Sequence, residues 1–98
     1  MPSDLEILRD NDARDGRWYA TLDGGGEAEM TYRHWPDRVI SIDHTFVPES
    51  HRGQGIAEAL MKAAIATARE EGLRIRPLCS YAVLQFRRHK EWSDLLAA

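Results

Sequence analysis

Between residues 39 and 72 the apolar residues of this chain change period once, and a loop with two glycines marks the change. Residues 39–47 (VISIDHTFV) read as a strand, and Pro48 ends it because proline offers no ladder donor. From Gly55 onward Ala57, Leu60, Met61, Ala64, Ile65 and Ala68 recur at helical spacing and make one apolar face. Gly72 is a natural stop for that helix. Leu73, Ile75 and Leu78 return the chain to strand character over 73–79. Strand, helix and strand in this order predict a right-handed crossover between two parallel strands. A crevice is expected where the paired strands end.

The segments upstream read as a meander. Residues 5–9 are expected to form a first strand, and 10–16 a polar turn. Residues 17–23 have strand composition. Asp23-Gly24-Gly25-Gly26 is a hairpin connection, and residues 27–35 alternate with a period of two. Residues 80–90 read as helical, and Trp92, Leu95 and Leu96 as a short final helix. The fold class expected is α+β: a mainly antiparallel sheet, one β-α-β crossover and short C-terminal helices.

With 98 residues, 43% of them hydrophobic, a single domain over 1–98 with one modest core is expected. A net charge of −3, with the two signs interleaved, carries no nucleic-acid footprint. The one cysteine, Cys79, allows neither an internal disulfide nor a CxxC zinc pair, so a cytoplasmic setting is expected. No HExxH or HxxxH pair occurs, and no metal site is expected. Met1-Pro2-Ser3-Asp4 has no basic run leading into an apolar stretch, so no signal peptide is expected. Residues 56–68 are too short and, with Glu58 and Lys62, too charged to cross a bilayer; no membrane partner is expected.

The loop 48–57 carries the chemistry. Gly53 and Gly55 remove side chains where a ligand approaches the backbone, the first-turn N–H groups of the following helix lack internal partners, and Arg52 adds a cation. A diphosphate suits such a place; a helix start with no ligand is the plain alternative. No GxxxxGK[ST] loop is present, and Glu58 occupies the third position of a GxGxxG fingerprint, where a carboxylate repels phosphate. Arg52-x-x-Gly55-x-Ala57 resembles the [QR]-x-x-G-x-[GA] loop of the GNAT acetyltransferases, which cradles the pyrophosphate of coenzyme A. Pro77-Leu78-Cys79-Ser80-Tyr81, with Asp43-His44-Thr45, resembles a compact GNAT subfamily with a cysteine at the end of its fifth strand. The resemblance runs from Gly26 to Leu95.

That resemblance implies a minimal GNAT (acyl-CoA N-acyltransferase) fold and an acetyl-CoA-dependent transfer to an unidentified amine, small molecule or protein. It implies that Thr45, Phe46 and Val47 face the pantetheine arm, and that Arg52, Gly53, Gln54, Gly55, Ile56 and Ala57 hold the pyrophosphate. The family's usual asparagine, alanine and tyrosine after the fifth strand correspond here to Cys79, Ala82 and Phe86. Phe86 has no proton for the departing CoA thiolate. The chain also lacks the family's two helices between the first strands and its last two strands, so the acceptor side is expected to be open. A CoA-binding module that acts with a partner protein and transfers nothing is the alternative function.

Two residues are candidates for catalysis. Cys79 falls at a strand-to-helix junction, with Ser80 as the expected N-cap. Helix N-termini favour thiolates, and a thiolate beside an acetyl thioester can take the acetyl group and pass it on. The plainer reading is a cysteine packed as a small hydrophobe. His44 is the candidate base, for Cys79 or for the amine; the plainer reading is a histidine hydrogen-bonded within its strand face. Asp43 is expected on the opposite face from His44, solvated or paired. His51 sits in the loop, where contact with phosphate and simple solvation are equal readings, while His34 and His89 read as surface residues. The run Arg87-Arg88-His89-Lys90 suits a helix C-terminus; a sharper reading lets one arginine reach the 3′-phosphate of CoA. Tyr81 reads as a packing residue, with a hydroxyl that reaches the active site as the sharper reading, and Trp18, Trp35 and Trp92 read as core or hairpin-packing residues.

Overall fold

The alternating segments pair into one five-stranded sheet. In a computed structural model, which describes residues 5–97, β1 (Leu8–Asn11), β2 (Asp15–Thr21), β3 (Glu27–Trp35) and β4 (Val39–Phe46) form an antiparallel meander. β5 (Arg74–Pro77) joins β4 in parallel, and the sheet order is β1-β2-β3-β4-β5. α1 (Ile56–Glu71) makes the crossover, and α2 (Ser80–Arg88) and a 3-10 turn (Lys90–Leu95) follow β5. The class is α+β, as the periods implied. The expectation of no signal peptide at residues 1–4 lies outside the described residues. Among the described residues no helix is long and apolar enough to cross a membrane.

Boundaries move where local hydrogen bonds decide them. The first strand runs over 8–11 rather than 5–9, and Leu5 and Ile7 pack against the core ahead of the ladder. The first turn is shorter than expected because the Asp12 carboxylate accepts from the N–H groups of Arg14 (2.8 Å) and Asp15 (3.0 Å). That tight turn lets Asp10, Asn11, Asp15 and Gly16 join the ladder. The last segment is 3-10 rather than α-helical. Leu96 then bridges to Ile75, and the N–H of Ala97 donates to the Ile75 carbonyl at 2.8 Å.

The sheet buries one face only. Trp18, Ala20, Met30, Tyr32, Ile40 and Ile42 lie under α1, whose Leu60, Met61, Ala64 and Ala68 are fully buried against them. The alanines bring the helix close, and the Trp18 indole N–H donates to the Thr67 hydroxyl at 3.3 Å. The other face is covered by charge. Arg17 stacks 4.0 Å above the Tyr19 ring and pairs with Asp10, Glu27 and Glu29 at 3.2, 2.9 and 3.0 Å. Hydrogen bonds to Glu27 and Glu29 raise the Arg17 pKa further still. An antiparallel sheet with one solvated face tolerates such a layer.

Two predictions concern the β1–β2 end. A Cβ on Gly16 would stand 2.5 Å from the Asp10 carbonyl oxygen and from the Tyr32 ring and hydroxyl, so Gly16→Ala should cost about 1–3 kcal/mol in denaturant unfolding. A cost near zero would show that this packing is loose. Arg9 binds the Glu71 carboxylate at 2.6 Å and donates to the Tyr32 hydroxyl at 2.9 Å, which ties β1 to the end of α1. The hydrogen bond from Arg9 holds the Glu71 carboxyl below its ordinary pKa. A carboxyl depressed by folding contributes stability that is lost as pH falls through its folded value. The pair is half exposed, so the contribution is at most about 1 kcal/mol. Glu71→Gln should therefore lose less stability on acidification than the wild type; parallel curves would contradict this.

Candidate functional site

β4 and β5 part at one carbonyl. Pairing runs from Val39 with Arg74 to Ile42 with Pro77. The Ile42 carbonyl then accepts from the N–H groups of both Leu78 (2.9 Å) and Cys79 (3.1 Å). Beyond it His44–Phe46 stay paired with β3 alone, so the other edge of Asp43–Phe46 is open to an extended ligand. The chain leaves β5 into α2, whose N-cap is Cys79 rather than Ser80. The Ala82 N–H donates to the Cys79 sulfur at 3.4 Å, and the Thr45 hydroxyl lies 3.5 Å from the same atom.

The β3–β4 register slips at this point. Thr31 opposes His44 and Tyr32 opposes Ile42, which leaves Asp43 as the extra residue of a β-bulge. The bulge overturns the expected facing of Asp43, opposite to His44, while the expected pairing is present. Its carboxylate accepts from the Ser41 hydroxyl at 2.8 Å and lies 3.7 Å from Arg33, both on the face away from α1. His44, opposite Thr31, is exposed on that same face. Thr45, opposite Met30, faces α1 and meets Cys79. The two expected catalytic residues therefore flank the gap from opposite faces, and His44 makes no hydrogen bond to Cys79.

The loop before α1 is built as a cradle. A 3-10 turn (Glu49–His51) ends at Arg52, and Gly53 and Gly55 adopt φ of +84° and +79°. A Cβ at either glycine would meet nothing within 4 Å, so the positive φ, not crowding, requires glycine. Gly55 caps α1 without a side-chain bond, and the first intrahelical bond is from Ala59 N–H to the Gly55 carbonyl at 3.0 Å. The amides of Ile56, Ala57 and Glu58 thus precede the helical ladder. Beside them opens a cavity of about 250 Å³. Of the nine residues expected to hold the cofactor, Val47, Arg52, Gly53, Gly55, Ile56 and Ala57 line it. Gln54 lines a separate cavity with Leu22 and His51, and Phe46 is 44% exposed at the end of β4. Arg52 donates to the Val47 carbonyl at 3.1 Å, which draws its guanidinium toward β4.

Tyr81, Gln85 and Arg88 complete the cavity from α2. Their i, i+4, i+7 spacing is a helix stripe, a signal hidden by reading Tyr81 as packing and Arg88 as part of a terminal basic run. Burial raises the Tyr81 pKa, so its hydroxyl remains a donor at neutral pH. Glu58 also lines the cavity, with its charge offset by Lys62 at 3.0 Å. Phe86 is buried, with its ring edge-on to Trp92 at 6.0 Å. A larger cavity of about 810 Å³ lies toward β1 and β2 and has Asp43, Thr31 and Arg33 on its wall. Among the described residues no three His, Cys, Asp or Glu side chains converge to hold a metal.

The family model for GCN5-related N-acetyltransferases matches residues 17–95. The chain belongs to the GCN5-related N-acetyltransferase family. The chain is similar to Protein NATD1 of Bos taurus, 36% identical over 76 residues (76% of this chain and 67% of that protein). NATD1 of Mus musculus is 34% identical over 85 residues, covering 82% and 77%. A GCN5-like protein from Staphylococcus aureus, solved by NMR, superposes with a TM-score of 0.73 at 32% identity over 98% of this chain and 91% of that one. A ribosomal-protein-alanine N-acetyltransferase from Brucella melitensis shares the fold: TM-score 0.63 and 24% identity, covering 89% and 64%. GNAT proteins generally use acetyl-CoA. If this cradle grips phosphate, Arg88→Ala should weaken CoA binding about tenfold, the scale of one charge-assisted hydrogen bond, without moving the melting temperature. Unchanged affinity by calorimetry would place the phosphates elsewhere.

Proposed function

We propose that the chain transfers the acetyl group of acetyl-CoA to an amine. The observation that carries this reading is the continuity of the cradle with the open β4 edge. Val47 lines the cradle, and the gap closes five residues back at Ile42, about 17 Å along a strand. A pantetheine arm laid along that edge brings its thioester to Ile42, between Asp43 and His44 on one face and Thr45 and Cys79 on the other. The α1 face is filled by core, so the amine arrives from the uncovered face, where Asp43 lies on the wall of the larger cavity. Cytoplasm, where acetyl-CoA is at hand and thiols stay reduced, is the compartment that suits this chemistry.

In direct transfer the amine nitrogen bonds the thioester carbon, the C–S bond breaks, and CoA leaves as thiolate. The proton shed by nitrogen passes to Asp43 or His44, which share the amine's face. In the covalent route the Cys79 thiolate attacks the thioester carbon first and CoA leaves as thiolate; the amine then bonds the acetyl carbon, the Cys79 thiolate leaves, and the proton shed by nitrogen passes to Asp43 or His44. The Ala82 N–H aimed at the sulfur suits a developing negative charge. Because His44 lies across the sheet from Cys79, the geometry favours it as a partner of the amine rather than of the thiol.

Phe86, packed in the core where the family commonly has a tyrosine, favours the second reading, a CoA-binding module that works with a partner protein. Incubation with acetyl-CoA and an amine panel separates the two. Transfer predicts CoA release that depends on amine. With the covalent route, Cys79→Ala should lose at least about a hundredfold in turnover, and mass spectrometry should find acetyl on Cys79. Undiminished turnover of Cys79→Ala would leave direct attack, and absence of any release would leave the binding module.

A further inference from the structure

Ser41 is fully buried, on the sheet face that is otherwise solvated. Trp35, whose indole is held between the guanidinium groups of Arg33 (5.3 Å) and Arg76 (5.4 Å), donates its Nε1–H to the Ser41 hydroxyl at 2.8 Å. Ser41 in turn donates to Asp43 Oδ1 at 2.8 Å. The polarity of this chain is forced. An indole nitrogen can only donate, so the Ser41 oxygen accepts and its hydrogen goes on to Asp43. Oδ1 is thereby committed as an acceptor from Ser41, and Oδ2, held only by a long 3.7 Å ion pair with Arg33, is the oxygen with lone pairs to offer substrate. Asp43 is the extra residue of the bulge, where the ladder alone does not fix a side chain.

We infer that Ser41 and Trp35 are positioning residues that orient Asp43 so that its Oδ2 receives the proton of the incoming amine. The inference rests on the acetyl-transfer reading and adds to it which carboxylate oxygen acts and what holds it there. Ser41 and Trp35 touch neither acetyl-CoA nor the amine; they act through Asp43. Trp35 matters through its N–H and Ser41 through its hydroxyl; Ser41→Ala is nearly isosteric, and Trp35→Phe keeps an aromatic ring while removing the N–H.

The test is a double-mutant cycle read in kcat, with acetyl-CoA affinity measured alongside. Asp43→Asn should lower kcat by about a hundredfold or more. Ser41→Ala should lower kcat about tenfold and leave acetyl-CoA binding unchanged. In the Asp43→Asn background Ser41→Ala should cost less than about twofold, because the group it positions is already gone. Trp35→Phe keeps the stacked ring and leaves Ser41 in place, so it tests the same relay if Ser41→Ala folds poorly. It should lower kcat severalfold with wild-type substrate KM, and should add little to Asp43→Asn. Multiplicative losses in the double variants, or wild-type kcat in Ser41→Ala and Trp35→Phe, would overturn the relay while transfer itself stood. A wild-type chain that acetylates no amine would overturn the transfer reading and the relay with it.

Discussion

Two N–H groups share the carbonyl of Ile42, and the arrangement of the site follows from that. A parallel strand pair that continued past this point would close the gap in which an acyl carrier has to lie. The chain spends the last bond of β5 and the first of its exit on a single acceptor, then turns into α2. The edge of Asp43–Phe46 is left with backbone groups to offer, and beyond Val47 the chain turns through Gly53 and Gly55 into the start of α1, which has no side-chain cap. Cys79 gains its position from the same turn, since its own N–H is one of the two donors.

The bulge divides the chemistry between the faces of the sheet. Without it, strict alternation would send Asp43 and His44 apart. With it, both belong to the uncovered face, and Thr45 is returned to the helix side to meet Cys79. In the proposed transfer this sets a nucleophile on the buried side and proton acceptors on the solvated side, with the thioester between them and the amine admitted from one side only. The charge layer around Arg17 lets that side remain uncovered, because it keeps the sheet face polar without helices above it.

Much of this was legible in the residue pattern. Period two over 27–35 and helical spacing over 56–71 gave β3 and α1, and Gly53 and Gly55 marked the loop as a place open to a ligand, although their positive φ is what requires glycine there. The bulge was not legible, because it is a relation between Thr31 and Asp43 on different strands and leaves no trace in either strand's own alternation. The N-cap role of Cys79 was likewise hidden, since Ser80 is the commoner cap and the choice was made by where β5 lets go of Ile42. The buried hydroxyl of Ser41 reads in the sequence as an ordinary polar position in a strand, and only Trp35 closing over it shows otherwise.

Backbone amide resonances followed during titration with acetyl-CoA test the binding path most directly. The amides of residues 53–58 and 43–46 should show the largest shifts, and those near Arg9 and Gly16 should stay still. Shifts concentrated around Arg9, Gly16 and Thr31, with the start of α1 unmoved, would contradict a nucleotide seated at that helix and an acyl arm lying along β4.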